Sequence, residues 1–239
     1  MSKINIKMLK DKLTIITEIF DFFLPRFCPA CKRRLAAGEK YVCPECLNKI
    51  QTITPERLQF EFNKKFTLKK YISGYASLYL FEKDKELQQI IHALKYNQRF
   101  LLGKFLGETL GETFQSLFLD WKINLIIPVP LHHLKKAERG YNQSTFIAKG
   151  LRKSLGIIVQ ENILKRGRFT RSQTTMNLTE REENVSGAFK ISHPEKIAGK
   201  NILIVDDVIT TGSTINECAK VLLDNGAAKV YADSIAIAD

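Results

Sequence analysis

Along the chain, short continuous apolar runs alternate with stretches whose apolar residues recur three and four apart, which predicts strands followed by helices. Ile202 to Val205, bounded by turn formers, predicts a buried parallel strand, and the helical run Thr214 to Asp224 follows it, with Gly226 as its stop. Upstream, Tyr71 to Phe81 carries the β-branched and aromatic residues of strands. Lys85 to Tyr96 then shows helical spacing through Leu87, Ile90, Ile91 and Leu94, and a further helix is expected over Phe100 to Leu119. Ile123 to Pro130 predicts a second strand that leaves its sheet at Pro128 and Pro130, since neither can donate to a ladder. After it come a loop from Leu131 to Gly140, a helix opening near Gln143, a short strand over Gly187 to Ile191 and a last strand over Lys229 to Ala238. Strand-to-helix units of this kind close into an open parallel sheet with helices on both faces, an α/β fold.

The first third of the chain reads differently. Leu13 to Leu24 is apolar, but Glu18 and Asp21 interrupt it and it is too short for a bilayer, so residues 1–24 are expected to form a packed helix and no membrane span. Residues 25–52 hold Cys28-x-x-Cys31 and Cys43-x-x-Cys46, two knuckles separated by eleven residues, the donor set and spacing of a tetrahedral zinc site. Pro29, Pro44 and the run Lys32-Arg33-Arg34 suit knuckle turns, and the cations favour thiolates. Residues 53–70, with Pro55, many charges and no apolar period, read as a connector to a main domain over 71–239. Cys218 is expected to be a buried apolar thiol.

Composition sharpens the chemistry. A chain of 239 residues suits one α/β domain plus a small module, and a net charge of +12 points to an anionic partner, phosphate esters or nucleic acid. Thr210-Thr211-Gly212-Ser213-Thr214, at the start of a helix, offers successive backbone N–H groups and four hydroxyls around a glycine, a cradle for phosphate. Asp206 and Asp207, at the carboxyl end of the strand, stand where a polyol or hydrated cation would meet them. The loop after the second strand brings Lys135, Lys136 and Arg139 to the same sheet edge; His132 and His133 in it are expected to be solvated, the alternative being that they help bind phosphate. Arg166 to Glu183 lacks a core pattern and carries Arg166, Arg168, Arg171 and Arg181. Phe27, Tyr41, Phe60, Phe62 and Phe66, among the basic residues of the ribbon and connector, are aromatic rings that core packing or base stacking would use.

The strand, Asp206-Asp207, two variable residues and Thr-Thr-Gly-Ser-Thr resemble the loop of type I phosphoribosyltransferases that binds phosphoribosyl diphosphate (PRPP). That resemblance implies ribose hydroxyls on the acidic pair, the 5′-phosphate on Thr210 to Thr214, pyrophosphate on the loop of Lys135, Lys136 and Arg139, and a flexible loop carrying Arg166, Arg168, Arg171 and Arg181 that closes over the ligand. Further runs narrow it: Ile91-His92-Ala93-Leu94-Lys95-Tyr96, Pro128-Val129-Pro130, Arg139-Gly140-Tyr141-Asn142-Gln143 and Leu164-Lys165-Arg166, with the four-cysteine ribbon, resemble the ComF family of competence-associated, phosphoribosyltransferase-like proteins. Membership would imply a cytoplasmic PRPP-binding protein that handles single-stranded DNA during natural transformation. Two other readings stay open: a magnesium-dependent phosphoribosyl transfer to an unknown acceptor, and a ribbon that docks another protein such as a competence helicase. Glutamine hydrolysis, as in amidophosphoribosyltransferases, is not expected, because the chain begins Met1-Ser2 rather than with a cysteine nucleophile.

Overall fold

Strand β6 (Asn201–Ile209) divides the protein into two cores by the period-two alternation of its side chains. Leu203 and Val205 face one cluster, Ile202 and Ile204 the other, and the neighbouring strand β2 (Leu125–Pro128) repeats the division with Ile126 against Leu125 and Ile127. In this computed structural model, which describes residues 25–82, 85–167 and 185–238, five parallel strands form the sheet β1-β7-β6-β2-β3. Its other members are β1 (Tyr75–Phe81), β3 (Ile158–Val159) and β7 (Lys229–Ala238). Both faces of the three inner strands are covered, which is why their sequences are continuously apolar rather than alternating.

The first core lies under α3 (Glu86–Tyr96), α4 (Phe100–Thr113), α5 (Gln115–Asp120) and α7 (Gln143–Leu155), with Cys46 of the ribbon helix α1 (Pro44–Lys49) buried in it. Helices α4 and α7 cross closely: a Cβ at Gly107 would overlap the Ile147 carbonyl, and one at Gly150 would overlap that of Lys104. This contact fixes α7, and with it the Asn142–Ser144 turn at the site. The helix expected over Phe100 to Leu119 breaks at Phe114, whose φ of −109° and ψ of 20° leave the α region.

The second core lies between the opposite face of the sheet and two helices, α2 (Pro55–Phe66) and α8 (Ser213–Asp224). Here the sequence reading is corrected. Residues 53–70 are not a mere connector: Thr54 caps α2 by accepting the Arg57 N–H at 3.3 Å, Pro55 opens the helix, and Phe66 at its end is wholly buried against Tyr75. The apolar period escaped notice because Glu61 and Lys65 occupy inward positions, paired with each other at 2.5 Å and with Arg57 on Glu61 at 2.7 Å. Phe62 and Phe66 pack in this core and Tyr41 packs on Phe105, so these three rings are packing residues rather than base stackers.

Two further expectations change in detail. Pro128 stays within β2, opposite Val205; its missing N–H points to the β3 side, where pairing ends at Ile126. The loop over Leu131–Gly140 contains a helix, α6 (His133–Arg139), stopped by Gly140 at φ 78°. The short strand near Gly187 is β5 (Phe189–Ile191), which pairs antiparallel with β4 (Leu164–Arg166) outside the main sheet. The helix expected over residues 1–24 lies outside the described residues, as do Arg168, Arg171 and Arg181. Among the described residues no helix is long and apolar enough to cross a membrane.

Candidate phosphate and polyol site

The carboxyl end of β6 runs into Thr210, Thr211 and Gly212, and α8 begins at Ser213. Gly212 takes φ 77°, a left-handed conformation that side chains with a Cβ adopt only with strain. A Cβ there would also come within 2.9 Å of the Phe66 ring and 3.3 Å of Lys65. The turn is held by the Thr211 Oγ1 to Ser213 Oγ contact of 2.9 Å and by Asn216 N–H donating to Gly212 O at 2.8 Å. Asn216 Nδ2 donates to the Lys65 carbonyl at 3.0 Å, so α2 buttresses the loop from behind. The result is a cavity of about 90 Å³ lined by Asp206 and by Val208 to Ile215, at the positive end of a twelve-residue helix.

The two aspartates have different surroundings. Asp206 Oδ1 accepts the Ser144 hydroxyl and the Asp207 N–H, both at 2.9 Å, and part of the residue faces the cavity. Burial and the adjacent Asp207 charge push its carboxyl up to about 7. Asp207 is turned inward; burial opposes its charge, but Lys95 Nζ at 2.8 Å from Oδ2 outweighs that and holds it below the usual carboxylate range. Behind them, Asp233 on β7 is wholly buried, and burial with the Asp206 charge pushes its carboxyl well above the usual carboxylate range.

Cations converge on this acidic centre. Lys135 is lowered first by burial and then by the charges of Arg166, Arg139 and Lys95, the condition of a cluster that an anion would stabilise. Arg139 donates to Gln143 Oε1 at 3.1 Å and lies 5.1 Å over the Tyr96 ring, while Arg166 lies 5.2 Å over Phe189. Lys136, expected in the same group, is exposed and makes none of these contacts. His132 corrects its expectation: it is buried, caps α6 by accepting the Leu134 N–H on Nδ1 at 3.4 Å, and is lowered by burial, His133, Arg166 and Lys135, so it stays neutral. His133 is exposed as expected.

Of the residues singled out in the sequence, Asp206, Thr210, Thr211, Gly212, Ser213 and Thr214 therefore line one cavity, with Arg139 and Arg166 in electrostatic reach of the acidic pair and Lys135 in reach of those two cations. Three participants were missed. Lys95 reads as an ordinary basic helix end, Ser144 as a residue of a capped helix start, and Phe66 as part of a polar linker. Only the His92-to-Tyr96 run signalled the first.

The four ribbon thiols lie within 4.8 Å of one another, with Cys31 and Cys43 sulfurs 3.7 Å apart. A tetrahedron of Zn–S bonds of about 2.3 Å has edges of about 3.8 Å, so the donor set fits a structural zinc ion. The knuckle is shaped by Cys28 N–H donating to Arg33 O at 2.8 Å and by Lys32 at φ 62°. Cys28, Cys43 and Cys46 are buried in the first core, so the ribbon packs directly on the main body.

Comparison with known proteins matches residues 138–238, from the end of α6 through β7, to the phosphoribosyl transferase domain family. Competence protein F of Haemophilus influenzae is 32% identical over 148 residues, 60% of this chain and 65% of that protein, just under two thirds of its length. DNA utilization protein YhgH of Escherichia coli O6:H1 is 30% identical over 207 residues, 85% of this chain and 86% of that protein. Competence protein ComFC of Bacillus subtilis is 27% identical over 202 residues, 84% of this chain and 73% of that protein.

Proposed function

Since this chain belongs to the ComF family, we propose that it binds PRPP at the end of β6 and acts in DNA uptake; its relatives are named for competence and DNA utilization. The observation that carries the ligand is the gathering of opposites at one end of β6: a cavity lined by Asp206 and the Gly212 loop, Lys95 on the inward Asp207, and Arg139, Arg166 and Lys135 within electrostatic reach. A ligand that is anionic at both ends and a polyol in the middle satisfies all three features. The 5′-phosphate would sit in the Gly212 cradle, the ribose hydroxyls on the carboxylates, and the diphosphate among the cations.

Hard carboxylate oxygens suit magnesium, and Asp206, which faces the cavity while Asp207 is engaged by Lys95, is the residue that would meet it. The ion would neutralise charge on the diphosphate. The cation cluster also favours the second reading, phosphoribosyl transfer, because the same groups would stabilise a departing diphosphate. Release of inorganic pyrophosphate from PRPP by the purified protein, with water or an added acceptor forming the new bond to the ribose C1, separates turnover from binding alone, and dependence on the acceptor separates transfer from hydrolysis.

Isothermal titration tests the shared premise. Wild-type protein should bind PRPP with magnesium present, and Asp206→Asn/Asp207→Asn should bind at least about tenfold more weakly, a loss near 1.4 kcal/mol. Equal affinity in both, or none in the wild type, removes the proposal.

A further inference from the structure

Among the described residues, four Phe and Tyr rings are strongly exposed, and contacts through Arg99, Arg139 and Tyr141 connect the neighbourhoods of three of them. Phe60 stands apart on α2. Tyr96 at the end of α3 is 49% exposed, and Phe100 at the start of α4 is 42% exposed. Arg139 lies over Tyr96 and donates Nη2 to its hydroxyl at 3.4 Å, with the His92 ring 4.8 Å away. Phe100 packs beside Phe146 at 5.1 Å and Tyr141 at 6.4 Å, and Lys149, also paired with Glu161 at 2.9 Å, lies 5.1 Å over Phe146. Next to Phe100, Arg99 donates Nη1 at 2.7 Å to the carbonyl of Phe27 on the ribbon, whose ring is 42% exposed. Rings and cations therefore alternate along a strip that begins at the cleft, where Arg139 stands, and ends on the ribbon.

From this alternation we infer that the strip is a docking track for single-stranded nucleic acid, leading from the ribbon to the cleft. The inference deepens the DNA-handling part of the proposed function and rests on it. Unpaired bases have free faces to stack on Tyr96, Phe100 and Phe27, and their phosphates meet Arg99, Arg139 and Lys149. A duplex buries its base faces in its own stack and leaves the rings nothing to cover them. The strip also places the track away from α2, whose Phe62 and Phe66 are committed to the second core.

The chain has a single tryptophan, Trp121, stacked on Tyr231, so Phe100→Trp adds a local reporter while keeping an aromatic platform. Titrating this variant at low salt with an oligothymidylate of about 20 nucleotides should quench the added fluorescence, with no matching change in wild-type protein, where Trp121 alone reports. Anisotropy with the same labelled strand should show Tyr96→Ala/Phe100→Ala at least about tenfold weaker than wild type, Phe60→Ala unchanged, and a duplex of equal length weaker than the single strand. Unquenched Trp at position 100, wild-type affinity in the double alanine variant, or equal affinity for duplex overturns the track. If the double variant does not fold, the quenching experiment decides alone. Failure to bind any strand, with PRPP binding intact by calorimetry in the same preparation, removes the track and leaves the PRPP reading standing.

Discussion

Replacing Lys95 by methionine keeps an apolar stem of similar length but leaves the inward Asp207 carboxylate with its principal counter-charge gone. Loss of one partner of a buried ion pair costs about 3–5 kcal/mol; because Lys95 keeps 24% of its side chain in water, a cost of about 2–3 kcal/mol is expected at neutral pH. For a domain of this size that lowers Tm by about 4–12 °C. The pH dependence identifies the cause. In the wild type the Asp207 carboxyl lies below its unfolded value, so the stabilisation is present above that value and is lost as pH falls through the folded one. Without Lys95, burial dominates and the folded value rises above the unfolded one. The ionised carboxylate then costs stability at neutral pH, and the cost fades as the group protonates. Thermal melts of both proteins at about pH 7.5 and about pH 5 should therefore show a deficit that is large at the first and markedly smaller at the second. A deficit equal at both pH values, or none at either, would refute the assignment of Lys95 as the counter-ion of the acidic pair.

Gly212→Ala should lose about 1–2 kcal/mol to the left-handed backbone alone, and the methyl pressing on Phe66 should distort the cradle, so a lowered melting temperature should accompany weaker PRPP binding by calorimetry. Phe66→Ala should cost about 3–5 kcal/mol in chemical denaturation, as for a wholly buried ring, and should weaken PRPP binding though Phe66 itself does not line the cavity. Chelating the ribbon metal should lower Tm of the whole chain rather than release an independent module, since Cys28, Cys43 and Cys46 share a core with α3 and α4; scanning fluorimetry with a zinc chelator and with Cys43→Ser reads this.

How much of this was legible beforehand follows a physical division. The strands β6 and β7 and the helix α8 were readable because parallel-strand burial writes itself as continuous apolar runs and helix starts as glycine and hydroxyl turns. The turn of Thr210 to Thr214 at the head of α8 was readable because its pattern is local, five consecutive residues around Gly212. The Lys95 to Asp207 pair was not, since a lysine at a helix end looks alike whether it meets solvent or a buried carboxylate across the sheet. Helix α2 was hidden by charge: Glu61 and Lys65 neutralise each other in a buried position, so the inward face does not read as apolar. The buried state of His132 depends on how α6 folds back, which local pattern does not encode.

The central claim is that a sugar phosphate lodges between the acidic pair and the Gly212 cradle. A crystal of the protein soaked with PRPP and magnesium tests it most directly. The account predicts density for a phosphate against the amides of Thr211 to Thr214, with the ribose beside Asp206 and the diphosphate toward Lys135 and Arg139. A cleft that stays empty at saturating ligand, or a ligand seated elsewhere on the sheet edge, would contradict it.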